Sequence, residues 1–223
     1  MSPRGFPCFP CRLCAHPEPT DFATVAGRRY LRCPRCHLTF LSADQLPDRA
    51  TEKAQYDLHE NEPDDPGYRR FLDQLAAPLG RHLHAGAQGL DFGCGPGPAL
   101  ARLLAERGFP TATYDPIYAN HPELLQRQYD FVSCTEVLEH LHQPHHAWQH
   151  FGRLVRPGGW LGLMTRWLTD DERFPHWHYR RDPTHVCFWK AETFQWLADQ
   201  QGWQPVLLDN PVVLLRRKEG IRI

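Results

Sequence analysis

Two sets of residues in this chain are of types, and at spacings, that could do chemistry. The first is Leu90-Asp91-Phe92-Gly93-Cys94-Gly95-Pro96-Gly97-Pro98-Ala99-Leu100, which reads as a buried strand, a glycine-rich turn and the first turn of a helix. Glycines allow positive φ and bring the backbone close to a ligand that a Cβ would hold off, while amides at the helix N-terminus can face that ligand. The spacing Asp-x-Gly-x-Gly-x-Gly, at Asp91, Gly93, Gly95 and Gly97, departs from the dinucleotide fingerprint, whose third glycine would fall at Pro98. It therefore favours a nucleoside other than NAD; taken alone, the glycines also suit a turn without a ligand. The second set is Cys11-x-x-Cys14 and Cys33-x-x-Cys36, 18 residues apart, a spacing at which two knuckles converge on one tetrahedral zinc. Four thiolates would leave no open coordination position, so such a zinc would fold the segment rather than catalyse. Disulfides or inert thiols are the alternatives. Cys8 is a fifth thiol at the same spacing from Cys11, and His16 and His37 lie nearby.

The 223 residues suffice for one sizeable α/β domain and a small appendage. The formal net charge of −1, with 14 neutral histidines, gives no global basic field, which counts against nucleic acid and membrane as partners. No run of 18 apolar residues occurs and the N-terminus lacks a signal-peptide core, so a cytoplasmic location is expected. Five of the eight cysteines lie in the first 36 residues. In a reducing compartment that clustering points to metal rather than disulfides.

The elements that must position these residues follow from periodicity and punctuation. Residues 1–46 form a zinc-ribbon-like segment, with Phe22 to Leu31 as a short hairpin turning near Gly27. Residues 47–80 comprise a polar, acidic linker (Glu60-Asn61-Glu62-Pro63-Asp64-Asp65-Pro66) and an amphipathic helix with Tyr68, Phe71, Leu72, Leu75 and Leu79 at helical spacing. That helix could cover a cofactor or simply present a core-facing stripe. Residues 81–223 alternate strand and helix. Ala99 to Arg107 is a helix stopped by Gly108, and Thr111 to Tyr114 a strand ending at Asp115-Pro116. Tyr129 to Cys134 is a strand; a helix ends at Phe151 to Val155; Arg156-Pro157-Gly158-Gly159 turns; and Trp160 to Thr165 is another strand. Glu192 to Gln201 is a helix capped by Gly202, and Trp203 to Arg216 splits at Asp209-Asn210-Pro211 into two strands. The pattern is that of an α/β protein with a mostly parallel sheet. Asp115, 22 residues beyond Gly93 at the end of the second parallel strand, is placed to accept hydrogen bonds from ribose hydroxyls; an Asp-Pro turn is its other reading.

The order of Asp91-Phe92-Gly93-Cys94-Gly95-Pro96-Gly97, Asp115, Asp130-Phe131-Val132 and Leu154-Val155-Arg156-Pro157-Gly158-Gly159 resembles the class I S-adenosylmethionine-dependent methyltransferases over roughly residues 85 to 216. The resemblance implies a Rossmann-like, mostly parallel seven-stranded sheet with its last strand antiparallel. It also implies S-adenosyl-L-methionine as cofactor: the methionine moiety at Gly93, Gly95 and Gly97, the ribose at Asp115, and the far wall near Thr135 and Glu136. Asp91 would hold the turn and lie near the sulfonium end. Only 13 residues separate Asp115 from Tyr129, where the family fits a helix, a strand and a second connection, so Ile117 to Gln128 must be abbreviated. A zinc ribbon ahead of such a domain also occurs among bacterial methyltransferases acting on sugars and other small molecules, which favours a small acceptor.

Methyl transfer from a sulfonium is an in-line displacement in which the protein aligns the partners and, for an oxygen or nitrogen acceptor, takes up a proton. The candidate catalytic residues are Glu136, Glu139 and His140, which share a face if their segment is helical, and His185 in the later loop Trp177 to His185. A Glu-x-x-Glu-His run with a distant histidine is similar to the divalent-metal site of small-RNA 2′-O-methyltransferases and some ubiquinone-pathway O-methyltransferases. The same residues could instead merely shape the pocket. The aromatic and basic Trp177 to His185 loop suits substrate recognition or packing on a sheet edge. The expected function is therefore a methyltransferase using S-adenosylmethionine on a small acceptor. Alternatives are a metal-assisted RNA 2′-O-methyltransferase and a non-enzymatic zinc module that binds a nucleoside. The acceptor and the oligomeric state are not written in these motifs.

Overall fold

The structure, a computed structural model, describes residues 9–58 and 62–220. Cys8, and Glu60 and Asn61 of the acidic stretch, lie outside the described residues. Along the chain the elements are β1 (Thr20–Val25), β2 (Arg28–Arg32), β3 (Thr39–Leu41), α1 (Arg49–Tyr56), α2 (Pro66–Gly80), β4 (Gly89–Phe92), α3 (Ala99–Glu106), β5 (Thr111–Tyr114), β6 (Tyr129–Thr135), α4 (Pro144–Leu154), β7 (Val155–Met164), β8 (Cys187–Phe188), α5 (Ala191–Gln201), β9 (Trp203–Asp209) and β10 (Val212–Arg217).

The main sheet has the order β5-β4-β6-β7-β10-β9. Strands β5, β4, β6 and β7 pair in parallel, and β10, the last in sequence, runs antiparallel to both of its neighbours. Period-2 alternation sends adjacent residues to opposite faces. Phe131, Met164, Val212 and Leu214 pack with α2 and α3, whereas Val132, Leu163, Val213 and Leu215 pack with α4, α5 and the N-terminal segment. Elements on both faces cover the sheet, as a parallel sheet requires, and bury the central strand β4 completely.

Six strands form this sheet among the described residues, one fewer than the seven the resemblance implies. The missing strand would have come from the Ile117 to Gln128 stretch, which holds only a 3-10 turn at Pro122–Gln126. A parallel crossover needs a dozen or more residues, commonly with a helix, and the 13 residues between Asp115 and Tyr129 leave no room for a crossover, a strand and a return. The Arg156 to Gly159 stretch is likewise not a turn ahead of its strand. It is an irregularity inside β7, where pairing with β6 slips from Tyr129↔Val155 to Phe131↔Trp160.

The second sheet, β1-β2-β3-β8, is antiparallel throughout. Its hairpin turns at Ala26 and Gly27, both at positive φ, with Gly27 in the role the sequence suggests. Its fourth strand is not local. Cys187 and Phe188 come from the far side of the main sheet and pair with Phe40 and Thr39, so the N-terminal ribbon is completed by a later part of the chain.

The expected linker contains a helix, α1. Asp48 caps it by accepting from Thr51 N at 2.8 Å, and Lys53 pairs with Asp57 one turn on. None of its residues is buried. The next helix, α2, is capped by Asp65 with Pro66 in its first turn, and buries Leu72, Leu75, Ala76 and Leu79.

Candidate functional site

The carboxyl ends of β4, β5 and β6 open onto one cavity of about 600 Å³, within the range of small-molecule sites. Its floor is the glycine turn. Gly93 (φ +79°) and Gly95 (φ +64°) occupy the left-handed region, and a Cβ on Gly93 would stand 2.4 Å from Val137 Cγ2. Gly93 N donates to Tyr114 O at 2.7 Å, which ties the turn to the end of β5. Asp115 continues this seam: its Oδ2 accepts from Gly95 N at 3.1 Å, and its Oδ1 accepts from Ile117 N and Tyr118 N. A carboxylate oxygen accepts two hydrogen bonds, so Oδ2 keeps capacity toward the cavity that Asp115 lines. Asp91, only 2 % exposed, does not line the cavity; its Oδ1 accepts from Ser133 Oγ at 2.8 Å. Burial pushes its pKa up to about 7, against the pull of that hydrogen bond. Gly97 lies on the way into α3, where its carbonyl accepts from Ala99 N.

Thr135 and Glu136 line the same cavity beyond β6. Glu136 adopts φ +50°, an uncommon conformation for a residue with a side chain. Its Oε1 is buried with no hydrogen-bond partner. Burial, reinforced by Glu139, pushes its pKa up to about 9, with Arg166 opposing. A carboxyl raised on folding holds more protons when folded than when unfolded. Its contribution to stability is therefore fully present below the ordinary value of 4.5 and is lost as the pH rises toward about 9. The Glu136→Gln variant should accordingly lose less unfolding free energy than the parent across that window, measured by denaturant melts at stepped pH.

The expected common helical face of Glu136, Glu139 and His140 does not form. The segment makes only a 3-10 turn at Leu138–His140, with Glu136 at positive φ ahead of it and outside the turn. Glu139 and His140 are instead joined by His185, the ligand atoms of the three lying within 4.8 Å of one another. Glu139 is fully buried: Oε1 accepts from Tyr179 OH at 2.6 Å and Oε2 from Thr165 Oγ1 at 2.8 Å. Each imidazole has Nδ1 against a carbonyl oxygen, His140 on Thr184 (3.2 Å) and His185 on Tyr179 (2.6 Å). A carbonyl can only accept, so each Nδ1 carries a proton, and in the neutral ring the acceptor is Nε2. Burial lowers the pKa of His185, which favours the neutral ring.

Several residues of this cavity were not singled out from sequence. Glu52 and Tyr56 of α1 form a wall: Glu52 Oε1 lies 2.9 Å from His142 Nε2, and Tyr56 packs edge-on against His140 at 5.1 Å. Tyr179 and Thr165 hold Glu139. A hydroxyl at the carboxyl end of a parallel strand, as at Thr165, was the available signal. Asp182 stands 3.9 Å from His185 Nε2. The cavity is lined largely by carboxyls, aromatic rings and small apolar groups, with no lysine or arginine among the described residues.

Away from the cavity, Cys11, Cys14, Cys33 and Cys36 converge, with Sγ atoms 3.5 Å apart for Cys11 and Cys36 and 3.4 Å for Cys14 and Cys33. A tetrahedral zinc with bonds of about 2.3 Å places its sulfurs about 3.8 Å apart, so the four thiols fit such an ion with small adjustment. His16 and His37 are not among the grouped ligands.

A six-stranded sheet of this order, with a glycine cradle after its first strand and an acid after its second, has the fold of the class I methyltransferases. Residues 64–208 match the family described as "Methyltransferase domain", and the chain belongs to that family. It is similar to ubiquinone biosynthesis O-methyltransferases of Paracidovorax citrulli (32% identical over 132 residues, 48% of this chain and 52% of the relative) and Photorhabdus laumondii (38% over 82 residues, 36% and 34%). The chain thus spans about half the length of the first relative and a third of the second. In fold it is similar to the magnesium protoporphyrin IX methyltransferase of Synechocystis PCC 6803, crystallised with bound SAH (TM-score 0.50, 17% identity, 76% of this chain and 94% of that one). Among the described residues, no helix is long and apolar enough to cross a membrane.

Proposed function

We propose that this chain transfers the methyl group of S-adenosylmethionine to an oxygen of a small-molecule acceptor. The observation that carries the proposal is a single cavity with the glycine turn and Asp115 at one side and Glu139, His140 and His185 at the other. In this reading Gly93, Gly95 and Gly97 hold the methionine moiety, Asp115 the ribose, and Thr135 and Glu136 the far wall, with Asp91 bracing the turn from below. The bound cofactor supplies an electrophilic methyl group on a sulfonium. The chain's own contribution is to seat the acceptor against that wall and to receive the hydroxyl proton at Nε2 of His185 or His140, each kept as an acceptor by the carbonyl on its Nδ1. The relatives named as O-methyltransferases support oxygen as the acceptor atom. The lining, free of lysine and arginine among the described residues, supports a small acceptor over RNA, whose phosphates call for basic side chains.

The proposal extends to organisation and metals. Residues 1–46 act as a zinc-bound ribbon, 47–80 as a connector whose helices wall the cavity, and 81–223 as the methyltransferase domain. A reducing, cytoplasmic setting suits four free thiols. In a second reading Glu139, His140 and His185 are instead the donor set for a divalent ion, whose ligands would be the same ring nitrogens and which would lower the pKa of an acceptor hydroxyl in place of a histidine base. Calorimetry with S-adenosylhomocysteine tests the first claim: saturable binding is expected, and none at millimolar ligand would overturn it. On that second reading, chelator treatment that leaves ribbon zinc in place, as verified by metal analysis, is expected to suppress turnover; unchanged rates would remove the second ion.

A further inference from the structure

The knuckle between Cys11 and Cys14 carries an arginine that reaches the loops of the candidate site. Arg12 is 8 % exposed, and the hydrogen-bond partners of its guanidinium are three main-chain oxygens from three separate segments. Nη2 donates to Leu41 O in β3 and to Val186 O, both at 3.0 Å, and Nη1 donates to His142 O at 3.2 Å. Val186 directly follows His185, and His142 stands two residues beyond His140. The carbonyl of Arg12 in turn accepts from His145 Nδ1 at 3.0 Å, at the start of α4.

These bonds extend a lattice that already links the two loops. Val186 N donates to Glu139 O at 2.8 Å, Leu41 N donates to Val186 O at 2.9 Å, and Cys187 Sγ donates to Leu141 O at 3.2 Å. A planar guanidinium can serve carbonyls in several directions at once, whereas an ammonium on a flexible stem lacks that fixed fork. Hydrogen bonds from a charged donor are also the stronger kind.

We infer that Arg12 is a positioning residue of the methyl-transfer site: from within the four-cysteine knuckle it fixes the two loops that present His140 and His185. On this view the ribbon is part of the site's framework rather than a separate module. The inference rests on the reading of His140 and His185 as site residues, but its test reads ring position and not turnover.

The test compares full-length, zinc-loaded parent with Arg12→Met, and with Arg35→Met as a control for loss of a positive charge beside the thiolates; Arg35 is exposed on the second knuckle. Histidine-ring NMR signals would be assigned through His140→Gln and His185→Gln. Arg12→Met is expected to shift or broaden both rings while keeping its zinc and holding S-adenosylhomocysteine affinity within about threefold, less than 1 kcal/mol. Unmoved His140 and His185 signals in zinc-loaded Arg12→Met would overturn the inference, as would equal shifts in Arg35→Met. If Arg12→Met fails to fold or to hold zinc, Arg12→Lys takes its place: displaced rings support a role for the fork, and parent-like rings overturn it. Parent protein that fails to bind S-adenosylhomocysteine, with rings still displaced in the variant, would refute the cofactor reading and leave the positioning role standing.

Discussion

His185→Ala is expected to slow methyl transfer by about 10²- to 10⁴-fold, the usual worth of a positioned proton acceptor, while affinity for S-adenosylhomocysteine changes little. The asymmetry follows from the layout of the cavity. The cradle is built from Gly93, Gly95 and Asp115 and is held by backbone bonds to Tyr114, Ile117 and Tyr118, none of which involves the 179–186 loop. His185 is held by Tyr179 O, and the hydroxyl of the same tyrosine donates to Glu139. Removing the ring therefore strips the acceptor side of a base and leaves the cofactor side intact. The measurement is kcat with saturating cofactor set against calorimetric affinity. Equal losses in both, or a loss in neither, would exclude the proposed role.

The second large effect concerns the ribbon. Cys33→Ala should abolish stoichiometric zinc and unfold the ribbon, because an apparent zinc affinity of about 10–16 kcal/mol is folding free energy in small thiolate sites. The ribbon's remaining support is its packing against the main domain, where Tyr30 meets Phe174 and Phe188. Its interior is Tyr30, Leu31, Leu38, Phe40 and Leu41, all essentially inaccessible, and Cys33 and Cys36 are part of the same cluster. With three sulfurs left, the knuckles would lose the ion proposed to close them. The effect should reach the main domain, since β3 pairs with β8 and Arg12 spans the two loops. Metal analysis and thermal melts decide the matter: a variant that keeps one zinc per chain, or the parent's melting temperature, would contradict it.

Legibility in the sequence tracked locality. The glycine turn, Asp115 and the four cysteines were readable because a turn, a strand end and a knuckle each express themselves within a few residues. The strands Thr111–Tyr114 and Tyr129–Thr135 announce themselves by β-branched and aromatic residues between punctuating residues. Helix α1 does not, because none of its residues is fully buried and it carries no apolar stripe; its cap, a lysine-aspartate pair and the contacts of Glu52 and Tyr56 with His142 and His140 hold it. The meeting of Glu139, His140 and His185 was foreseen as a possibility, but through a helix that does not exist. Its actual basis is a 3-10 turn stapled by Tyr179 and Thr165, residues dozens of positions away along the chain. Strand β8 was equally hidden, since two residues have no periodicity to read.

That short strand has a consequence for the order in which the molecule can be completed. Phe40 and Cys187 are register partners, so during synthesis one side of β3 is an unpaired sheet edge until Cys187 has emerged. Contacts so distant in sequence are slow to form, and an open edge bearing a buried phenylalanine invites wrong pairing. The ribbon's first three strands are made well before the strand that closes their sheet. Residues 1–46 made alone would therefore bind zinc with β3 still bare, and should self-associate through that edge.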